Sequence, residues 1–175
     1  MIRAPLTSHP LTPSHAVQSI VASVQRNASS IELSFVVSGQ LSRIALPPRR
    51  DPSRADELWQ HTCFELFARS PGAAGYTEFN FSPSTQWAAY RFSAYREGMT
   101  HQELHRAPTA HLSTSADRAQ FEVQFDSRDL PAPPTELALT AVIEESSGVK
   151  SYWAINHRLD KPDFHYAHGF VLSLD

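Results

Sequence analysis

The stretch Leu58–Arg91, LWQHTCFELFARSPGAAGYTEFNFSPSTQWAAYR, decides the fold. In its first part Phe64 and Leu66 alternate with His61, Cys63 and Glu65; further on, Phe79 and Phe81 alternate with Tyr76, Glu78 and Asn80. A period of two marks a half-buried strand. Turn-forming SPGAAG and SPST separate three such strands. The face opposite the phenylalanines is unusual: it carries acids, an amide and aromatic groups where a bland solvated face carries Lys, Thr and Ser. Such a face suits a small polar ligand.

Register sharpens the expectation. A SPGAAG turn closing Arg69 against Ala74 sets Glu65 opposite Glu78, Phe64 opposite Phe79 and Cys63 opposite Asn80. An even turn at Pro83-Ser84 then sets Asn80 opposite Trp87 and Tyr76 opposite Arg91. Directly opposed side chains lie about 4.5–5.5 Å apart at Cβ. Two carboxylates at that spacing require a cation, a shared proton, a metal or a hydrogen-bonding ligand; Arg91, His61 and Lys150 are the candidate cations. A one-residue slip at the second turn would send Trp87 into the core instead.

Composition narrows the class. A chain of 175 residues fits one domain spanning 1–175 and buries about 70% of its unfolded-chain surface. Its net charge of −3 and its lack of any basic run longer than Arg49-Arg50 give no footprint for nucleic acid or an anionic membrane. One cysteine, Cys63, allows neither an intrachain disulfide nor a cysteine-based zinc site. The opening MIRAPLTSHPLTPSHA has no apolar h-region, and the longest apolar stretch, Leu137–Ile143, is too short to span a bilayer. The expected location is cytoplasmic.

Along the rest of the chain, Val17–Val24, Ile31–Val37, Phe121–Phe125, Leu137–Glu145, Val149–His157 and Phe170–Leu174 read as further strands, for eight or nine in all. Pro47–Glu57 and Asp129–Pro134 are proline-rich loops, and Phe92–Leu112 has no regular pattern. Many short strands between turn signals point to an all-β chain, a β-sandwich or jelly-roll of two mainly antiparallel sheets.

The blocks LWQHTCFELF, YTEFNFSPSTQWAAYRF, TAVIEESSGVKSYWAINH and KPDFHYAHGFVLSL resemble the DOMON-like family. Within it they are similar to the bacterial subgroup labelled UDP-N-acetylmuramate dehydrogenase-like, related to carbohydrate-binding module family nine. The resemblance runs from about Leu58 to the C-terminus. It implies an immunoglobulin-like β-sandwich with a ligand site on one sheet, and ligands that are sugars or haem. The dehydrogenase label implies no activity, because the chain has no flavin-binding sequence.

Sugar recognition pairs aromatic faces with the C–H surface of a pyranose while acids, amides and Arg bind its hydroxyls. Glu65, Tyr76, Glu78, Asn80, Trp87, Arg91 and Trp153 supply those residue types, with His61, His157 and His165 beside them. In the related modules two tryptophans bracket a sugar, which implies Trp87 and Trp153, although Trp153 sits on a mixed strand where a core position is equally open. The expected function is therefore a binding module for a small polar ligand, a sugar or amino-sugar derivative.

Two other classes stay open. Haem in DOMON cytochromes is held by Met and His; here Met99 lies beside His101, and bis-His ligation could draw on His61, His157, His165 or His168. The loop NHRLDKPDFHYAHG places Asp160 and Asp163 among its histidines, which fits no zinc signature and leaves calcium open. Neither haem nor calcium is favoured. A small hydrolase could use Glu65 and Glu78 as paired carboxylates about 5–5.5 Å apart. No G-x-S-x-G elbow, phosphate loop or H-E-x-x-H is present.

Overall fold

Alternating phenylalanines on two neighbouring strands need a second apolar surface to cover them, and the chain supplies it by curling one sheet upon itself. The computed structural model describes residues 1–158 and 160–175. Twelve strands run in chain order: β1 (Ile2–Ser8), β2 (Val17–Arg26), β3 (Ser30–Gly39), β4 (Cys63–Arg69), β5 (Tyr76–Phe81), β6 (Trp87–Phe92), β7 (Thr100–His101), β8 (Thr109–Thr114), β9 (Arg118–Asp126), β10 (Thr135–Glu144), β11 (Lys150–Ala154) and β12 (Leu172–Leu174). Among the described residues the only helical segments are short 3-10 turns. No helix there is long and apolar enough to cross a membrane.

The strands follow the order β7-β6-β5-β4-β10-β11-β1-β2-β3-β9-β8, with β12 added to β10. Every named strand pair is antiparallel. The all-β, antiparallel expectation therefore holds, whereas two separate sheets become one continuous curled sheet. The reason is β1. Its first part pairs with β2, from Ile2–Val24 to Leu6–Ile20, and its end pairs with β11 through Thr7–Ala154 and Ser8–Trp153. One strand thus stitches both halves together.

The inner faces meet through phenylalanine. Phe64 stands 4.9 Å from both Phe35 and Phe121, and Phe79 stands 5.1 Å from Phe125, ring centre to ring centre. All five rings are buried. A second, smaller apolar cluster lies on the other face of β4–β6, where Phe67, Tyr76, Tyr90 and Phe92 pack with Phe170 beneath overlying loops.

Both hairpin registers differ from the expected ones. Glu65 faces Asn80, Phe64 faces Phe81 and Phe67 faces Glu78, because the first connection spans all of Ser70–Gly75. Gly75 belongs to that loop: a Cβ there would come within 2.9 Å of the Phe92 carbonyl oxygen. In the second hairpin Phe81 faces Trp87, Asn80 faces Ala88 and Tyr76 faces Phe92. Thr85, left-handed at φ 76°, closes this odd-length turn with its N–H on the Ser82 carbonyl at 2.9 Å. One residue more in the turn reverses the facing of every side chain on β6.

Candidate functional site

With that register the outer face is fixed strand by strand. Cys63, Glu65 and Phe67 of β4 lie beside Tyr76, Glu78 and Asn80 of β5. Tyr90 and Phe92 of β6 flank them on one side, and Thr140 and Val142 of β10 with Tyr152 of β11 on the other. Above this floor opens a cavity of about 960 Å³, within the usual size of a small-molecule site. One wall is the segment carrying Asp56, Glu57 and Trp59; a second carries Arg96, Met99 and His101; a third is Pro162–His165.

The floor is polar yet withdrawn from solvent. Glu65, Glu78 and Asn80 are 2%, 6% and 0% exposed. Glu78 Oε1 accepts from the Asn80 amide at 2.7 Å, and Glu65 Oε2 accepts from the Thr140 hydroxyl at 3.2 Å. Burial raises both acids, Glu78 to about 7 and Glu65 well above its ordinary value, the latter pushed further by the charge of Glu78. The two are diagonal neighbours across the hairpin, since Glu65 pairs with Asn80 and Glu78 with Phe67. The direct opposition expected from sequence is absent.

A chain of hydrogen bonds buttresses this floor. Tyr76 Oη accepts the Arg96 backbone N–H at 3.1 Å and lies 2.6 Å from His165 Nδ1. When the phenol gives its own proton to Nδ1, the imidazole carries its proton on Nε2, which stands 3.6 Å from Glu78 Oε2. Burial, then the nearby Arg96 charge, lowers His165 to about 4, so this ring is neutral. Asp163 accepts from Tyr95 at 2.5 Å and from Arg96 at 2.8 Å. Burial works against its charge, but those bonds hold it below the ordinary carboxylate range.

Backbone strain marks the same place. Three non-glycine residues are left-handed among those described, and two of them, Glu57 at φ 59° and Arg96 at φ 56°, line the cavity. Non-glycine residues rarely adopt this region, and they do so most often where the surrounding structure fixes a functional geometry.

The structure brings Glu65, Tyr76, Glu78, Asn80 and His165 together. It sends five other sequence candidates elsewhere. Trp87 turns inward to pack on the main core beneath the Arg54 guanidinium, 5.7 Å from its ring. Trp153 is 4% exposed in that core, with its indole N–H on Ser151 Oγ at 2.9 Å. Arg91, opposite Thr77, is exposed on the other face from Glu78 and cannot relieve the acids. His61 pairs with Glu144 at 2.7 Å, and His157 binds the Thr7 carbonyl at 2.7 Å, so neither reaches the cavity. Trp59, Tyr90, Phe92, Tyr152 and Phe164 form the aromatic surface instead. The alternation that selected Asn80 also selects Tyr90 and Phe92 once the odd turn is allowed.

Met99 and His101 stand two residues apart on one wall and cannot grip opposite faces of a porphyrin, and His61 and His157 lie outside the cavity. Asp160 is bound by Arg158 at 2.6 Å, and Asp163 by Tyr95 and Arg96. Among the described residues no three His, Cys, Asp or Glu converge as a metal site.

Comparison with known proteins adds the fold. No protein-family model matches the sequence, and no curated protein matches it significantly. A solved protein of Bacteroides uniformis, provisionally described as carbohydrate-binding, superposes with a TM-score of 0.74 over 100% of this chain and 87% of its own, at 12% identity. A carbohydrate-binding module of family 9 from Caldicellulosiruptor kristjanssonii, solved with cellotriose, superposes with a TM-score of 0.52 over 87% of this chain and 72% of its own, at 11% identity. At such identities the likeness is one of fold.

Proposed function

We propose that this protein binds a small polar ligand of the sugar class, a sugar or amino-sugar derivative, in the cavity over the outer face of β4–β6, β10 and β11. The observation that carries the reading is the floor: buried Glu65 and Glu78, the latter held by the Asn80 amide, face a cavity walled by Trp59, Tyr90, Tyr152 and Phe164. A pyranose needs both parts. Its C–H surface rests on aromatic faces, and its hydroxyls donate to carboxylates and accept from amides. Buried acceptors meeting such hydroxyls gain specificity, since a ligand lacking them would leave the acceptors unpaired. The fold neighbours support the class, one described provisionally as carbohydrate-binding and one solved with cellotriose. Binding requires no bond to be made or broken.

Trp59 provides the test. It is half exposed at the cavity wall, whereas Trp87 and Trp153 pack on the core. Titration with glucose, glucosamine, N-acetylglucosamine and their β-1,4 dimers should quench or blue-shift the fluorescence. Trp59→Ala should abolish that response with little change in melting temperature. Wild-type fluorescence and heats of mixing unmoved by the whole panel would overturn the proposal.

A further inference from the structure

The cavity gathers more acidic groups than basic ones. Five carboxylates line it, Asp56, Glu57, Glu65, Glu78 and Asp163, against one guanidinium, Arg96, and two imidazoles, His101 and His165. Asp163 takes the Arg96 guanidinium at 2.8 Å, and Asp56 at the rim takes the Tyr90 hydroxyl at 2.6 Å with His101 at 3.6 Å. Glu65 and Glu78 receive only neutral donors, a threonine hydroxyl and an asparagine amide. His165 Nε2, at 3.6 Å, lies beyond hydrogen-bond reach of Glu78. Glu65 lines the cavity with its Thr140 bond on Oε2, which leaves Oε1 open to a donor brought by a ligand.

We infer that the ligand is a cationic sugar, an amino sugar whose free ammonium lies between the carboxylates of Glu65 and Glu78. The inference rests on the sugar reading above and names which sugars. An ammonium suits the place on three counts. It carries three donors for the free oxygens of both acids. Tyr90, Phe92 and Tyr152 border the same floor, and aromatic faces attract a desolvated cation. A metal ion would want more converging oxygen or nitrogen ligands than the described residues gather.

Proton balance gives a signature. The groups around the pair are Cys63, Tyr76, Tyr90, Tyr152, Arg96 and His165; the Arg96 charge lowers Glu78 from a distance, and the neutral His165 ring stands 3.6 Å from it. Burial favours the uncharged form of both acids, Glu78 up to about 7. An ammonium between them favours the carboxylates, so a carboxyl proton passes to the buffer and one positive charge takes the place of another. A neutral sugar gives no such exchange.

Calorimetric titration at pH 7, in two buffers of different ionisation enthalpy, tests this with glucosamine, glucose and N-acetylglucosamine. Glucosamine should bind at least about tenfold more tightly than glucose, and its heat should differ between buffers by the release of a fraction of a proton. N-acetylation should remove both effects. Glu65→Gln and Glu78→Gln should each shrink the preference for glucosamine to about threefold or less. Glucose binding as well as glucosamine, without proton release, would overturn the cationic assignment and leave the sugar reading standing. A glucosamine preference untouched by both substitutions would also overturn it, because the ammonium would then lie elsewhere. No heat from any of the three would overturn the sugar reading and this inference together.

Discussion

The two faces of the β4–β5 hairpin are almost equally hidden and chemically opposite. On the inner face Phe64, Leu66, Phe79 and Phe81 are at most 2% exposed; on the outer face Glu65, Phe67, Glu78 and Asn80 are at most 6% exposed. Inside, ring meets ring and no polar atom needs a partner. Outside, every polar atom must be satisfied by a neighbour or by whatever enters the cavity. Alternation along a strand is commonly read as core against water. Here it separates core from site, since the loops carrying Trp59, Arg96 and Phe164 roof the outer face.

If that contrast is sound, the inner face should dominate stability. Phe64→Ala removes a ring wedged between Phe35 and Phe121 and should cost about 3–5 kcal/mol by urea denaturation. A cost under about 1 kcal/mol would show the inner packing to be loose and break the comparison at its stronger side.

The outer face should reveal itself through pH. Glu78, raised to about 7 by burial, contributes most at low pH and loses that contribution as pH climbs from about 4.3, its ordinary value, to 7. His165, lowered to about 4 by burial, runs the other way: its contribution is full above about 6.5 and fades as pH falls toward 4. Glu65, raised by burial and by the charge of Glu78, slopes the same way as Glu78, so wild type should lose stability as pH rises through this window, with Asp163 titrating below it. Glu78→Gln should flatten that decline by about 1–3 kcal/mol between pH 4 and 6.5, and His165→Gln should steepen it over pH 4–7. Parallel profiles for all three proteins, by urea denaturation at each pH, would show that these two groups titrate normally.

The smallest effect belongs to Arg91. It is exposed and faces away from the acids, so Arg91→Ala should change stability by less than about 0.5 kcal/mol and leave sugar binding as it was. A clear loss of binding would mean that the β5–β6 register places it on the site face.

How much of this the sequence disclosed follows from the range of the forces involved. Strand alternation is local, so the Phe64–Phe79–Phe81 core and the shared face of Glu65, Glu78 and Asn80 were legible. Register depends on turn length, and the six residues of Ser70–Gly75 and the left-handed Thr85 displaced the expected pairings. That slip exchanged Trp87 for Tyr90 and Phe92 on the site face. The roof was hidden for another reason: Arg96 meets Asp163 across 67 positions of sequence, and no local pattern announces such a contact. β1 escaped notice because Pro5 interrupts its pattern and its inward side is short, Ile2, Ala4 and Leu6. Beside Pro5 the strand pairs with β2 alone, a setting in which a missing N–H is tolerated.

The joint between β1 and β11 has a mechanical consequence. Two strand pairs, Thr7–Ala154 and Ser8–Trp153, join the two halves of the sheet along this line, with the His9 N–H on the Tyr152 carbonyl at 2.7 Å and side-chain bonds from Thr7, His9 and His157 beside them. Like the spine of a book, it is the narrowest ladder through which the covers are fastened. The strands supplying the cavity floor, β4, β5, β6, β10 and β11, all belong to one cover. Flexing at the spine would therefore strain the phenylalanine packing between the covers while the floor keeps its shape, insulating recognition from the breathing of the rest of the fold.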